Sequence, residues 1–249
     1  MTPSIKNFKI IIEYDGGRYH GWQRQRGQQT IQGEIEKVIH IITRERVDVI
    51  GSGRTDTGVH ARGQIANFLS HTKHPAEAIQ KGMNSLLPDD IVIREMEEVR
   101  PDFHAQFWAK KKTYHYHIRN TSLPCAINRQ YAWFIRRPLN VPAMNDAAAH
   151  LTGTHDFKSF ETVGSPRAHT TRTIFNATVA QLDDTHLMLA VESNGFLRHM
   201  VRNIMGTLVD VGLGRTSIDR FKEILLSKDR RNAGPTAPPH GLFLMQVVY

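Results

Sequence analysis

The sequence predicts an α+β fold made of two similar ferredoxin- or RRM-like halves, residues 1–105 and 106–249. Three observations lead there. The first half reads strand, helix, strand, strand, helix, strand, the order of a split β-α-β unit. The second half repeats that rhythm more loosely, with no low-complexity segment between them. Finally, 249 residues at 40% hydrophobic and 22% charged have an ordinary globular composition, long enough to bury a sizeable core.

Each element carries its own signal. Phe8–Tyr14 alternates as a strand and ends at the turn residues Asp15-Gly16-Gly17. Thr30 is the N-cap of a helix with Ile31, Ile35, Val38 and Ile42 on one face. Val47–Ile50 and Gln64–Phe68 read as short strands on either side of a glycine-framed loop. Pro75 opens a second helix with Ile79, Met83 and Leu86 as its buried stripe, and Asp90–Met96 returns as a strand. Further on, Thr113–Ile118 alternates, and Asn140 caps a helix with Met144, Ala148 and Leu151 in its stripe, which Gly153 stops. Arg172–Leu182 and His186–Glu192 are strands about the Asp183-Asp184 turn. A helix from Phe196 to about Val211 buries Leu197, Val201, Ile204 and Leu208. Ser217 caps another, carrying Ile218, Phe221 and Leu225, and Leu242–Tyr249 is the closing strand.

Composition narrows the function. Against 24 acidic residues stand 32 Lys and Arg, a formal net charge of +8 that suggests a polyanionic partner, most simply nucleic acid. No apolar run approaches the roughly 18 residues of a membrane span, and Met1–Lys6 lacks the apolar core of a signal peptide. Cys125 is the only cysteine, which excludes an intrachain disulfide and fits a reducing cytoplasm. The pairs His71/His74 and His115/His117 have no evident third ligand, and neither a P-loop nor a G-x-G-x-x-G motif occurs. No metal and no nucleotide cofactor is expected.

Chemistry-bearing residues cluster at four places. Gly51, Gly53 and Gly58 frame a loop holding Arg54 and Asp56; in an extended loop residues two apart point to the same side, so this pair can face one cavity. Arg18–Gly27 is a basic, aromatic loop whose arginines, Arg24 among them, could grip phosphate while Tyr19 and Trp22 stack on bases, unless the Trp is part of the core. Lys110-Lys111-Lys112 runs into an aromatic strand whose Tyr114, Tyr116 and Ile118 share one face, either a core face or a single-stranded RNA platform. Arg198 and Arg202 fall on the flank of the helix beginning at Phe196, where a partly desolvated guanidinium prefers a carboxylate partner.

In order along nearly the whole chain, these stretches resemble the TruA-type tRNA pseudouridine synthases. The matching motifs are Tyr14-Asp15-Gly16, Gly21-Trp22-Gln23-Arg24-Gln25, Thr30-Ile31-Gln32, the central Gly53–Ala61, Lys112–Tyr116, Met200–Asn203 and Ala237–Leu242. The resemblance implies the pseudouridine synthase fold, a mixed and mainly antiparallel sheet with helices on one side. It makes Asp56 the nucleophile, has Tyr114 contact the target base and act in proton transfer, pairs Arg202 with the catalytic Asp, and lets Arg54 help hold the RNA with its target nucleotide displaced. Arg24, Lys112 and Arg198 are expected as further substrate contacts. It also implies a homodimer acting without cofactor on uridines at tRNA positions 38, 39 and 40 in the anticodon stem-loop. The sequence departs from the commoner pattern at Gly17, His20 and His115, which bears on phosphate contacts and leaves Asp56 untouched.

Two other classes make distinct demands. A non-catalytic RNA-binding protein would explain the charge and the aromatics but leave the Arg54–Asp56 loop idle. A retaining glycosidase also works at an anomeric carbon, yet it needs a second carboxylate about 5 Å from the first. None of the three stretches around Arg54–Asp56, Lys110–Tyr116 and Gly195–Ile204 supplies one.

Overall fold

A computed structural model of the chain describes residues 4–162, 164 and 169–249. It divides into two compact units, Met1–Lys110 with Leu244–Tyr249, and Lys111–Phe243. The join expected after residue 105 thus falls after Lys110, and the last residues return to the first unit. They return because Tyr249 donates its hydroxyl to the Ala105 carbonyl at 2.7 Å and Lys110 N–H bonds the Val248 carbonyl at 2.8 Å.

The first unit contains β1 (Lys6–Tyr14), α1 (Ile31–Thr43), β2 (Ile50–Gly51), β3 (His60–Ser70), α2 (Ala76–Leu86) and β4 (Ile91–Val99). The strand order is β4-β1-β3, with β2 also on β3, and these pairs are all antiparallel. That is the arrangement the β-α-β-β-α-β order predicts. Alternation sets the core: Phe8, Ile10 and Ile12 of β1 are completely buried, with Phe68, Ile91 and Ile93. Thr30 caps α1 by accepting a bond from Gly33 N–H, and Ile31, Ile35, Val38 and Ile39 turn inward. Helix α2 runs along β4 and meets α1 at Gly82, where a Cβ would stand 3.1 Å from Ile42. Leu86, expected in the buried stripe, is instead 48% exposed, because α2 ends at that residue. Val47–Val49 also form no strand. The pairing with β3 covers only Ile50 and Gly51, and β3 is longer than expected, taking in His60 and Ala61 from the motif itself.

The second unit holds β5 (Lys111–Asn120), β6 (Trp133–Ile135), α3 (Val141–Ala149), β7 (Gly153–Asp156), β8 (Thr171–Asp183), β9 (His186–Ser193), α4 (Met200–Gly212) and α5 (Ile218–Ser227). The closing strand is β10 (Leu242–Val248). Strands run β5-β9-β8-β7 antiparallel, with β6 parallel to β5, so the sheet is mixed and mainly antiparallel. Tyr114, Tyr116 and Ile118 are buried together with Leu187, Leu189 and Val191 of β9, the core face that strict alternation of β5 predicts. Asn140 and Ser217 cap α3 and α5 through their side chains. Helix α4 starts four residues later than expected, since His199 takes a left-handed conformation (φ 60°) and Phe196–Arg198 lie outside the helix. Its middle, Asn203–Val209, is buried on every side. Gly206 makes that possible, as a Cβ there would stand 1.7 Å from the Pro235 carbonyl oxygen of a segment lying across the helix.

Candidate active site

The Asp56 loop spans the gap between β2 and β3, and hydrogen bonds hold it on both sides of Asp56. Ser52 N–H bonds the Ile65 carbonyl at 2.7 Å. The Gln64 side chain, completely buried, accepts from Ser52 Oγ at 2.7 Å and donates to the Gly53 carbonyl at 2.9 Å. On the far side, Gly58 takes a left-handed φ of 77° and Val59 N–H closes the turn onto the Asp56 carbonyl at 3.1 Å. Thr55 is the pivot. Its hydroxyl lies 2.7 Å from that of Tyr14, and its carbonyl accepts from Trp22 N–H at 3.1 Å. Burial pushes the Tyr14 phenol far above its usual range, so this contact stays a neutral hydrogen bond. Asp56 is then left half-buried, with Arg54 exposed in the same loop.

Removing the Thr55 hydroxyl leaves the buried Tyr14 hydroxyl without its closest bond. Thr55→Val should therefore cost about 1–3 kcal/mol of stability, read as a lower denaturation midpoint in urea. An unchanged midpoint would mean that the Tyr14–Thr55 contact does not hold the loop.

The motif residues before the loop prove to be its support. Gly16 lets the Val59 backbone come so close that a Cβ would stand 2.0 Å from the Val59 oxygen, and Gly21 does the same for Thr55. Trp22 is only 3% exposed and its ring covers Gly51, where a Cβ would lie 2.5 Å from it. Tyr19 is buried as well and donates its hydroxyl to Asp90 at 2.5 Å. Neither ring is available to stack on a base; the hydrophobic gain of burying them beneath the loop wins. The arginines of this stretch are partly committed too. Arg18 pairs with Asp90 at 2.5 Å, and Arg24 with Glu36 at 2.6 Å, although the Arg24 side chain keeps 59% of its exposure. His60, buried at the loop's end, places Nδ1 at 2.9 Å from Asp15 and 3.1 Å from Gly16 N, a contact that no sequence signal marked.

In the second unit, Tyr114 is buried with its ring edge-on to Phe196 at 5.0 Å, and Lys112 is half-buried one step along the same face of β5. Arg202 is half-buried on α4. Its Nε donates to the Ala237 carbonyl at 2.8 Å while its own carbonyl accepts from Ala237 N–H at 3.1 Å. The Ala237–Leu242 motif therefore has a structural part: it clasps Arg202, its Pro238 carbonyl accepts the Tyr116 hydroxyl at 2.7 Å, and Gly241 lies against the Tyr116 ring. Burial raises the Tyr116 phenol well above its usual range, an effect that Arg202's positive charge opposes. Arg198 is exposed and precedes α4, so the two arginines do not share the helix flank that the uninterrupted periodicity predicts.

Fold and motifs thus define an α+β protein whose glycine-framed aspartate loop is rigidly seated. A family model described as tRNA pseudouridine synthase matches residues 10–108 and 147–249. The chain belongs to that family. It is 46% identical over 245 residues to the tRNA pseudouridine synthase A of Thermoanaerobacter sp. (strain X514), covering 98% of this chain and 100% of the relative. The corresponding proteins of Acetivibrio thermocellus and Moorella thermoacetica are 43% and 44% identical, over 98% and 97% of this chain and 100% and 98% of theirs. Among solved structures, a Cbf5-Nop10-Gar1 complex aligns over 95% of this chain and 57% of that one, at 11% identity and a TM-score of 0.36, too slight a likeness to carry an argument.

Proposed function

We propose that this protein is an isomerase that converts uridine to pseudouridine in the anticodon stem-loop of tRNA, at positions 38, 39 and 40, with Asp56 as its nucleophile. The family match, running through both units and including the Asp56 loop, supports this reading. The reaction breaks the N1–C1′ glycosidic bond, turns the base and joins C5 to C1′; the C5 proton is lost and N1 gains one, so neither redox change nor net hydrolysis occurs. A carboxylate is a weak nucleophile when fully hydrated and needs an oriented, partly dry setting. The half-buried Asp56 on its fixed loop suits that requirement. Extracting the base from its stack costs a few kcal/mol, and the cations assigned to the RNA, Arg54, Arg24, Lys112 and Arg198, offset that cost through the backbone.

Tyr114 is assigned to the target base and to proton transfer, and Arg202 to the Asp56 carboxylate, which a guanidinium would orient. The assembly is a homodimer with one tRNA touching both subunits, in the cytoplasm. Arg202→Ala should lower kcat by more than it raises KM for tRNA, since the guanidinium acts on the carboxylate rather than on the RNA backbone. Steady-state kinetics on an unmodified transcript checks this; a pure loss of affinity would count against the pairing. The decisive test of the reaction is incubation of the protein with unmodified tRNA and chemical mapping of pseudouridine. Free uracil among the products would favour glycosidase chemistry, and bound but unaltered tRNA a non-catalytic binder.

A further inference from the structure

The buried face of the second unit's sheet ends in two cations. Lys112 of β5 pairs with Ser193 of β9, which pairs with Ile174 of β8, so these three residues form one row across the sheet. Tyr114 lies one step inward from Lys112 on the same face, and Arg172 lies one step outward from Ile174 on β8. Arg172 is held rather than loose: its Nη1 donates to the Thr171 carbonyl at 2.6 Å and to the His169 carbonyl at 3.4 Å, and lies 3.3 Å from His169 Nδ1. Gly195 lies against it, a Cβ there standing in ordinary contact at 3.5 Å from Arg172 Nε. The acid nearest along β9, Glu192, is engaged by Lys111 at 3.1 Å.

Both cations are half-buried at this end of the sheet, Arg172's charge acts on Lys112, and each has lost part of its hydration. Burial first, and then the charge of Arg172, bring the Lys112 ammonium down from 10.5 to about 8. It therefore remains largely cationic at neutral pH, able to act as a point charge toward an anion.

We propose that Arg172 and Lys112 together seat one backbone phosphate of the RNA strand beside Tyr114. The inference rests on the reading that this chain binds RNA at Tyr114, and it adds Arg172 to the residues that hold the strand. A fixed guanidinium and a lysine ammonium on one phosphodiester combine directional bonds with a point charge.

The test measures binding of an unmodified anticodon stem-loop RNA to the full chain across a salt series, for the wild type, Arg172→Gln, Lys112→Gln, the double variant and Arg172→Lys. Each single Gln variant should bind about tenfold more weakly. The double variant should lose less than the product of the two losses, because both cations serve one phosphate. Its salt slope should fall by roughly 0.7–0.9, the equivalent of one phosphate. Arg172→Lys, which keeps the charge, should keep the slope and confirms that the site folds if Arg172→Gln proves unstable. Unchanged affinity and slope in Arg172→Gln, or strictly multiplicative losses with a slope change of two phosphates, would overturn the shared seat. Pseudouridine formation by the wild type on the same RNA is scored separately. A wild type that binds but forms no product refutes the catalytic reading and leaves the phosphate series readable.

Discussion

Asp56→Ala should abolish pseudouridine formation, by about 10⁴-fold or more, while tRNA binding and the melting temperature stay close to wild type. The local structure explains why the two effects should separate. Several bonds that seat the loop are made by its neighbours and survive the change: Ser52 and Gly53 through Gln64, Thr55 through Tyr14 and Trp22, and Val59 through the Asp56 carbonyl, which alanine keeps. What alanine removes is a half-buried carboxylate, the group on which the proposed chemistry depends. Product would be scored by chemical mapping of the modified nucleotide and binding by filter retention of labelled tRNA. Wild-type turnover in this variant would end the assignment of Asp56, whatever the similarity of the chain to its relatives.

Gly21→Ala should be strongly damaging although it touches no proposed catalytic group. Two costs coincide there. Gly21 has φ 83°, a region that an L side chain occupies only at about 1–2 kcal/mol. Its Cβ would also stand 2.6 Å from the Thr55 carbonyl oxygen and 3.1 Å from the Asp56 carbonyl carbon. Both are backbone atoms, which cannot swing aside as a flexible side chain would, so either the Arg18–Gly27 stretch or the Asp56 loop must shift. The Trp22–Thr55 hydrogen bond would be strained in the process. Together these should cost about 2–4 kcal/mol of stability. Displacing the aspartate by a fraction of an ångström to 1 Å should lower kcat on the order of 10²-fold. Gly27→Ala is the control. Gly27 also has a left-handed φ, 73°, but no heavy atom lies within 4 Å of a Cβ built there. If the two variants lose the same stability and the same activity, backbone conformation alone is responsible and the contact with the loop is not.

The elements that form through local signals were legible in the sequence. Period-two alternation marked β1 and β5, the Asp183-Asp184 turn separated β8 from β9, and the side-chain caps Thr30, Asn140 and Ser217 sit where hydroxyl and amide groups next to an apolar stripe predict them. The candidate aspartate was legible too, because three glycines around one acid at fixed spacing is a local pattern. Periodicity misled where a single residue interrupts it. Nothing in the apolar spacing of Phe196–Val211 shows that His199 adopts φ 60°, and with that turn Arg198 leaves the helix on which it was expected.

The sequence by itself determined the α+β class and most of the order of strands and helices, missing the short β6 and β7 and extending β2 too far back. Its motifs along the chain carried the resemblance to the family. Tertiary structure decided what those residues touch. It buried Tyr19 and Trp22, the latter against Gly51, gave Arg24 to Glu36, tied Thr55 to Tyr14 across 41 positions of sequence, and put Arg172 one step beyond the row that holds Lys112. The physical reason is one of range. Backbone preferences and side-chain periodicity act within a few residues, whereas hydrogen bonds and steric contacts between distant segments exist only once the strands have paired in register.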